Sequence, residues 1–167
     1  MMKVAIATTA LLLTTLVACQ QDAPPSSMEE EITVFEGVPT IRDGDNVKID
    51  DVNIRLLGID ACELGQPARV DHTEIDCGIW ARDHLRDLIG FRSIRCESAE
   101  RDVYDRPLAI CYNGRMEINR ALVEAGIVFL YDRSSDYEVE RDKAQKDGRG
   151  IWQFQEIEQP RDYRRRN

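Results

Sequence analysis

Histidine is nearly absent from this sequence. There are two, His72 and His84, and neither has ligand spacing to a cysteine. Both read as structural or solvated, and no serine–histidine–aspartate order is found. No P-loop and no dinucleotide fingerprint occurs, so chemistry on a nucleoside triphosphate or a nicotinamide has no anchor. No two cysteines are spaced by two residues, which argues against a zinc ribbon. Surplus positive charge is missing as well: 22 Lys+Arg stand against 31 Asp+Glu, for a net charge of −9. An acidic body repels polyanions at long range, which argues against a protein that coats nucleic acid. A turnover enzyme needs only a local positive site.

A chain of 167 residues has room for one ordinary domain. Its start stands apart. Lys3 precedes a charge-free run of apolar residues and threonine over 4–18, which reads as an export signal. Cys19 follows Leu16-Val17-Ala18, an order that resembles a bacterial lipoprotein cleavage site. In that reading the Cys19 thiol is acylated and anchors the chain to a membrane. Gln20, in place of an aspartate, points to the outer membrane, facing the periplasm or the exterior. Residues 19–31, rich in Pro, Ser and Glu after the cysteine, read as a disordered tether. The folded body is expected over 32–155, with a polar basic tail over 156–167. Four cysteines then remain, Cys62, Cys77, Cys96 and Cys111. An even number in an exported chain suggests disulfides, with three connectivities open.

Two-residue alternation dominates the first half. Strands are expected over 33–42, 46–50 and 52–59, separated by Asp-Gly-Asp and Asp-Asp turns. The period then changes. Ala81, Leu85, Leu88 and Ile89 share one helical face, and Gly90 stops the helix. Strands over 91–97 and 107–112 follow, and Asn113-Gly114 marks a turn. A second helix carries Ile118, Ala121, Leu122 and Ala125. Ser135 and Glu138 fit a capping box before a third helix that ends near Gly148. Trp152 is expected to pack this end onto the body. The order is an α+β, mainly β, arrangement: a five-stranded OB-fold barrel with three helices.

One stretch is odd for a core strand. IRLLGIDACE, residues 54–63, holds Arg55 inside and delivers Asp60 and Glu63 at its end. Taken in order, DGD, RLLGIDxxE and YDRPLA resemble the staphylococcal nuclease family, over about two thirds of the chain. The resemblance implies a Ca²⁺-dependent endonuclease acting on DNA and RNA. It assigns Asp45, Asp60 and the carbonyl of Ala61 to the calcium ion, and Glu63 as the general base on a water. Arg55 and Arg106 become the phosphate-binding arginines, and Tyr104 and Tyr131 lie near the nucleotide. The residue types suit the chemistry. Ca²⁺ prefers oxygen ligands, and arginine presents a planar fork to two phosphate oxygens.

The sequence also departs from the family. Cys62 stands where proline is usual, Asn46 and Ala61 where threonine is common, and Asp105 where glycine precedes the arginine. Asp105 adds negative charge beside Arg106. Cys62 is expected to join Cys77, and Cys96 to join Cys111 across a hairpin. The leading reading is a lipid-anchored, monomeric nuclease of the cell envelope. The alternative is a catalytically weak or inactive OB-fold binding module on the same tether.

Overall fold

The computed structural model describes residues 31–131 and 135–167; the expected signal segment, Cys19 and most of the expected tether lie outside the described residues. Among the described residues, eleven short strands and four α-helices follow one another. The first five strands are β1 (Thr33–Gly37), β2 (Thr40–Ile41), β3 (Asn46–Ile49), β4 (Val52–Leu56) and β5 (Ile59–Asp60). A small hairpin, β6 (Pro67–Val70) and β7 (Thr73–Asp76), leads into α1 (Cys77–Ile89). Then come β8 (Ile94–Arg101), β9 (Pro107–Asn113), β10 (Met116–Glu117) and α2 (Ile118–Glu124). The chain ends with β11 (Phe129–Leu130), α3 (Glu138–Lys146) and α4 (Pro160–Arg166).

The class is mixed and mainly β, as the residue pattern implies. The main sheet runs β1-β8-β9-β4-β3-β2, with β10 on β9, and its hydrogen-bonded path is open rather than a closed barrel. Its strands are antiparallel except β4 and β9, which run parallel. Strand and helix numbers exceed the expected five and three for local reasons. Pro39 interrupts 33–42, because proline has no N–H for a ladder. Gly58, at φ 78°, bends the chain between β4 and β5. The strand expected from 91 begins at Ile94 instead, and Phe91 is left 98% exposed. The third helix starts at Glu138, after a 3₁₀ turn (Ser135–Tyr137), and the Ser135 side chain on which the capping box depends lies outside what is described.

The stripe on α1 holds: Ala81, Leu85 and Ile89 are buried, Asp76 caps the start through Ile79 N–H, and Gly90 ends the helix. These side chains join Val47, Ile54, Leu56, Ile94 and Leu122 in the main core. A smaller cluster of Cys62, Ala68, Cys77, Phe129, Ile151 and Phe154 lies behind the β5 loop. Trp152 packs edge-on against Phe129 there, 5.7 Å between centroids. Both expected disulfides form, Cys62–Cys77 and Cys96–Cys111. Among the described residues, no helix is long and apolar enough to cross a membrane.

Candidate active site

The start of β3, the end of β4, the start of β9 and all of β5 meet at one end of the sheet. Register explains the meeting. Asn46 pairs with Arg55 across the β3–β4 hairpin, Arg55 lies beside Leu108 of β9, and Asp60 pairs with Phe129 of β11. The turn before β3 is built by its own acids. The Asp43 carboxylate accepts the N–H of Asp45 at 3.2 Å and the Asn46 side-chain amide at 2.9 Å. Gly44 is required by space: a Cβ there would lie 2.6 Å from the Ala61 methyl and 2.7 Å from that of Ala81. Only glycine lets this turn lie flat against both α1 and the β5 loop.

The residues singled out by sequence form one hydrogen-bonded chain. Arg106 donates to Asn46 at 3.1 Å, and Asn46 donates to Asp45 at 2.6 Å. Arg55 then bridges the two aspartates, 3.1 Å to Asp45 and 2.9 Å to Asp60. Ala61 N–H donates to the other oxygen of Asp45 at 2.9 Å. Asp45 and Asp60 are both buried, each 4% exposed. This answers the oddity of Arg55: the arginine leaves a core strand to neutralise two carboxylates at the strand's end. Burial works against its charge, and Asp45 and Asp60 outweigh that, so the guanidinium is held above its ordinary range.

Burial pushes the Asp45 carboxyl up to about 7, with Arg55 opposing and Asp43 and Asp60 adding to the rise. A desolvated aspartate beside two further carboxylates attracts a hard cation. The donor set of Asp45, Asp60 and the Ala61 carbonyl is all oxygen, which fits Ca²⁺ rather than a thiolate- or imidazole-seeking metal. Among the described residues no three His, Cys, Asp or Glu side chains converge as a ready metal cage, so a carbonyl and waters would complete the shell.

Glu63 is positioned by its backbone. Its N–H donates to the side-chain oxygen of fully buried Gln66 at 3.0 Å. Gln66 in turn donates to the Glu158 carbonyl at 2.8 Å. The Cys62–Cys77 bond ties the same loop to the first residue of α1. Gly78 admits the close approach, because a Cβ there would lie 2.2 Å from the Glu63 carbonyl oxygen. The Glu63 carboxylate itself is partly open to solvent.

An unexpected group reaches these acids. Arg164 of α4 donates two hydrogen bonds to Asp60, at 3.1 and 3.0 Å, and one to Glu63 at 2.5 Å. The segment expected as a polar basic tail over 156–167 carries a helix, Pro160–Arg166. It is docked by the Tyr163 hydroxyl on the Gly65 carbonyl at 3.1 Å and by the Gln66–Glu158 bond. Asp45, Arg55, Ala61, Glu63, Tyr104, Arg106, Tyr131 and Arg164 all line one pocket of about 670 Å³. The tyrosines stand at its rim, Tyr131 facing Arg55 at 5.4 Å and Tyr104 facing Arg106 at 5.5 Å. Both rings are exposed.

Residues 53–154, more than half of the chain, match the profile of the staphylococcal nuclease homologue family. The chain belongs to the staphylococcal nuclease family. It is an enzyme of phosphodiester hydrolysis. An uncharacterized endonuclease of Escherichia coli O157:H7 is 29% identical over 123 residues, covering 69% of this chain and 74% of that protein. An uncharacterized endonuclease of Haemophilus influenzae is 26% identical over 171 residues, covering 98% and 85%. The succinoglycan biosynthesis protein ExoI of Rhizobium meliloti is 32% identical over 127 residues, covering 71% and 65%.

In this nuclease the departures from the family pattern find local roles. Asp105 occupies a left-handed conformation, φ 63°, that glycine would otherwise supply. Its carboxylate is 87% exposed and sits 3.5 Å from Arg101, so Arg101 answers the charge that seemed to threaten Arg106. Cys62 replaces a proline with a crosslink. Sequence reasoning missed Asp102, Gln66 and Arg164. Asp102 accepts from the Nε of Arg106 at 2.7 Å and from its backbone N–H at 2.9 Å, which fixes the guanidinium in place. Its only sequence signal was an acid four residues before the arginine. Arg164 carried none, because its partners lie about a hundred residues away, and the distant half of the Gln66 bridge, the Glu158 carbonyl, is equally invisible in local pattern.

Proposed function

We propose that this nuclease is a Ca²⁺-dependent endonuclease of the cell envelope that hydrolyses DNA and RNA. The observation that carries the reading is the unbroken run of hydrogen bonds from Arg106 through Asn46, Asp45, Arg55 and Asp60 to Arg164 and Glu63. Asp45, Arg55, Glu63, Arg106 and Arg164 line one pocket, and Asp60 is tied to it from behind by its bonds to Arg55 and Arg164.

Arg55 and Arg106 bind the non-bridging oxygens of the scissile phosphate, and their forks hold it against the pocket wall. Asp45, Asp60 and the Ala61 carbonyl hold the cation, which supplies charge neutralisation on the phosphate. The Glu63 carboxylate accepts a proton from the attacking water. The water oxygen forms a bond to phosphorus, the bond to the 5′-oxygen breaks, and that oxygen takes a proton from solvent and leaves as a hydroxyl, so the product ends in a 3′-phosphate. Tyr104 and Tyr131 offer faces for the neighbouring bases. Cys19, acylated, tethers the enzyme to the envelope, with the outer membrane favoured by Gln20.

The test is cleavage of single-stranded and duplex DNA by the full chain, with Ca²⁺ and with chelator. Chelation is expected to abolish cleavage. Glu63→Gln is expected to lower kcat by roughly 100-fold or more, and loss of Arg55 or Arg106 by roughly 100- to 1000-fold. Chelator-resistant cleavage, or full activity in Glu63→Gln, refutes the reading. Radiolabelled palmitate on the wild type but not on Cys19→Ser tests the anchor.

A further inference from the structure

A second cleft, of about 500 Å³, opens between α4 and the β11–α3 side of the body. Four arginines line it, Arg141, Arg161, Arg164 and Arg165, against a single carboxylate, Asp60. That carboxylate is already engaged by Arg55 and Arg164. Arg141 touches Asp142 at 2.6 Å, while Arg161 and Arg165 only approach Asp162, at 3.8 and 3.7 Å. The side chains of Arg161 and Arg165 are 55% and 78% exposed. On a chain with a net charge of −9 this is a local reversal of sign. Like-charged guanidinium groups gathered around one cleft repel one another, and an added anion relieves that repulsion.

The cleft adjoins the catalytic pocket. Tyr131 and Arg164 line both. The hydrolysis described above makes no use of Arg141, Arg161 or Arg165. The geometry points to this second cleft as a binding site for the phosphodiester backbone of a single-stranded polynucleotide, holding phosphates beyond the scissile one. The inference rests on the nuclease reading and adds the length of substrate that the enzyme grips. Guanidinium forks match phosphate oxygens without regard to base identity. An exposed tyrosine at the crossing and Trp152 in the wall suit unstacked bases, which a duplex does not offer. A strand entering at Tyr131 would have one linkage before Arg55 and Glu63 and its next phosphates before Arg161 and Arg165. The acidic remainder of the surface would then keep nucleic acid off every other face.

The experiment measures equilibrium binding by the full chain, with Ca²⁺, of two probes across a salt series. One is a fluorescein-labelled phosphorothioate thymidylate dodecamer, which resists cleavage. The other is a mononucleotide bearing 3′- and 5′-phosphates, small enough for the catalytic pocket alone. Arg161→Ala/Arg165→Ala is compared with Arg95→Ala/Arg115→Ala, which removes equal charge from residues that line neither cleft. The cleft variant is expected to bind the dodecamer roughly tenfold more weakly. Its log–log salt slope should fall by about 1.4, at roughly 0.7 per single-strand phosphate released. Mononucleotide affinity should stay unchanged, and the control variant should follow the wild type. Equal losses in the cleft and control variants, or a dodecamer slope that the cleft variant leaves intact, overturn the inference while the nuclease reading stands. A wild type that binds neither probe overturns both.

Discussion

The guanidinium of Arg164 lies between Asp60 and Glu63 and donates to both carboxylates, at 2.5 to 3.1 Å. One of these acids is assigned to the cation and the other to the attacking water. A single side chain from the last helix therefore touches both halves of the site, and it neutralises charge that a divalent ion would otherwise neutralise.

A cation that takes Asp60 must compete with this pair. Arg164 is about a third exposed, 37%, so solvent screens the contact and its net worth is about 1 kcal/mol. Arg164→Ala is expected to tighten Ca²⁺ binding by about fivefold, measured by titration calorimetry on the nucleotide-free protein. Arg164→Lys should fall between the two. An unchanged Kd would mean that the arginine leaves the acids without cost.

The buried Asp45 makes stability depend on pH in a defined direction. Its folded-state value, about 7, lies above the ordinary 3.8, mainly through burial. A carboxyl raised in this way contributes stability that is fully present below its ordinary value and is lost as pH climbs through the folded value. In chelator, the wild type should therefore lose stability relative to Asp45→Asn between about pH 4 and pH 7, on the order of 4 kcal/mol. Thermal unfolding of the two proteins across that range checks it. Parallel curves would show that Asp45 keeps an ordinary affinity for protons in the fold.

Much of this site is legible along the chain because its chemistry sits on ordered local signals. Asp43-Gly44-Asp45 announces a turn, and Arg55 breaks the apolar run of β4. Asp60 and Glu63 flank the end of β5. The three segments needed only a shared sheet end to converge, and alternation places them on strands. The β6–β7 hairpin was not legible: its turn uses Asp71 and His72 at φ 46° and 67°, positions where glycine or asparagine usually gives the signal. The last helix was not legible either. Its residues show no apolar stripe, and only Pro160 at its first turn hints at a start. What holds it is Tyr163 on Gly65 and Arg164 on Asp60, contacts across about a hundred residues that no local pattern encodes.

Asp102 holds the guanidinium of Arg106, the group proposed to bind phosphate, in one place. Burial opposes the charge on Asp102, but hydrogen bonds from Arg106 and the N–H of Tyr104 prevail and hold its carboxyl below the usual range. The same carboxylate fixes the backbone of the β8–β9 turn through Tyr104 and Arg106, each at 2.9 Å. Asp102→Ala is expected to lower kcat/KM by about tenfold or more through loss of the fixed guanidinium. Asp102→Asn should keep the turn and recover part of the loss. Since Asp102 positions rather than reacts, the fall should appear with the pH profile unchanged. A shift in that profile would place Asp102 among the titrating catalytic groups instead.

The two disulfides close loops of the same sequence separation, 15 residues each, but sit differently with respect to the chemistry. Chain entropy assigns each roughly 3 kcal/mol of stability. Cys96–Cys111 crosses the β8–β9 ladder inside the main core, away from the reacting groups. Cys62–Cys77 anchors the loop that carries Glu63 to the helix whose Gly78 rests on the Glu63 backbone. Replacing Cys96 and Cys111 by alanine should lower the melting temperature and leave kcat per folded molecule near the wild type. Replacing Cys62 and Cys77 should lower both, because a looser loop no longer presents Glu63 at one distance from the phosphate. Melting curves paired with initial rates on one oligonucleotide separate the cases. Equal kcat in the two double variants would show that Gln66 and α4 hold the loop without help from the crosslink.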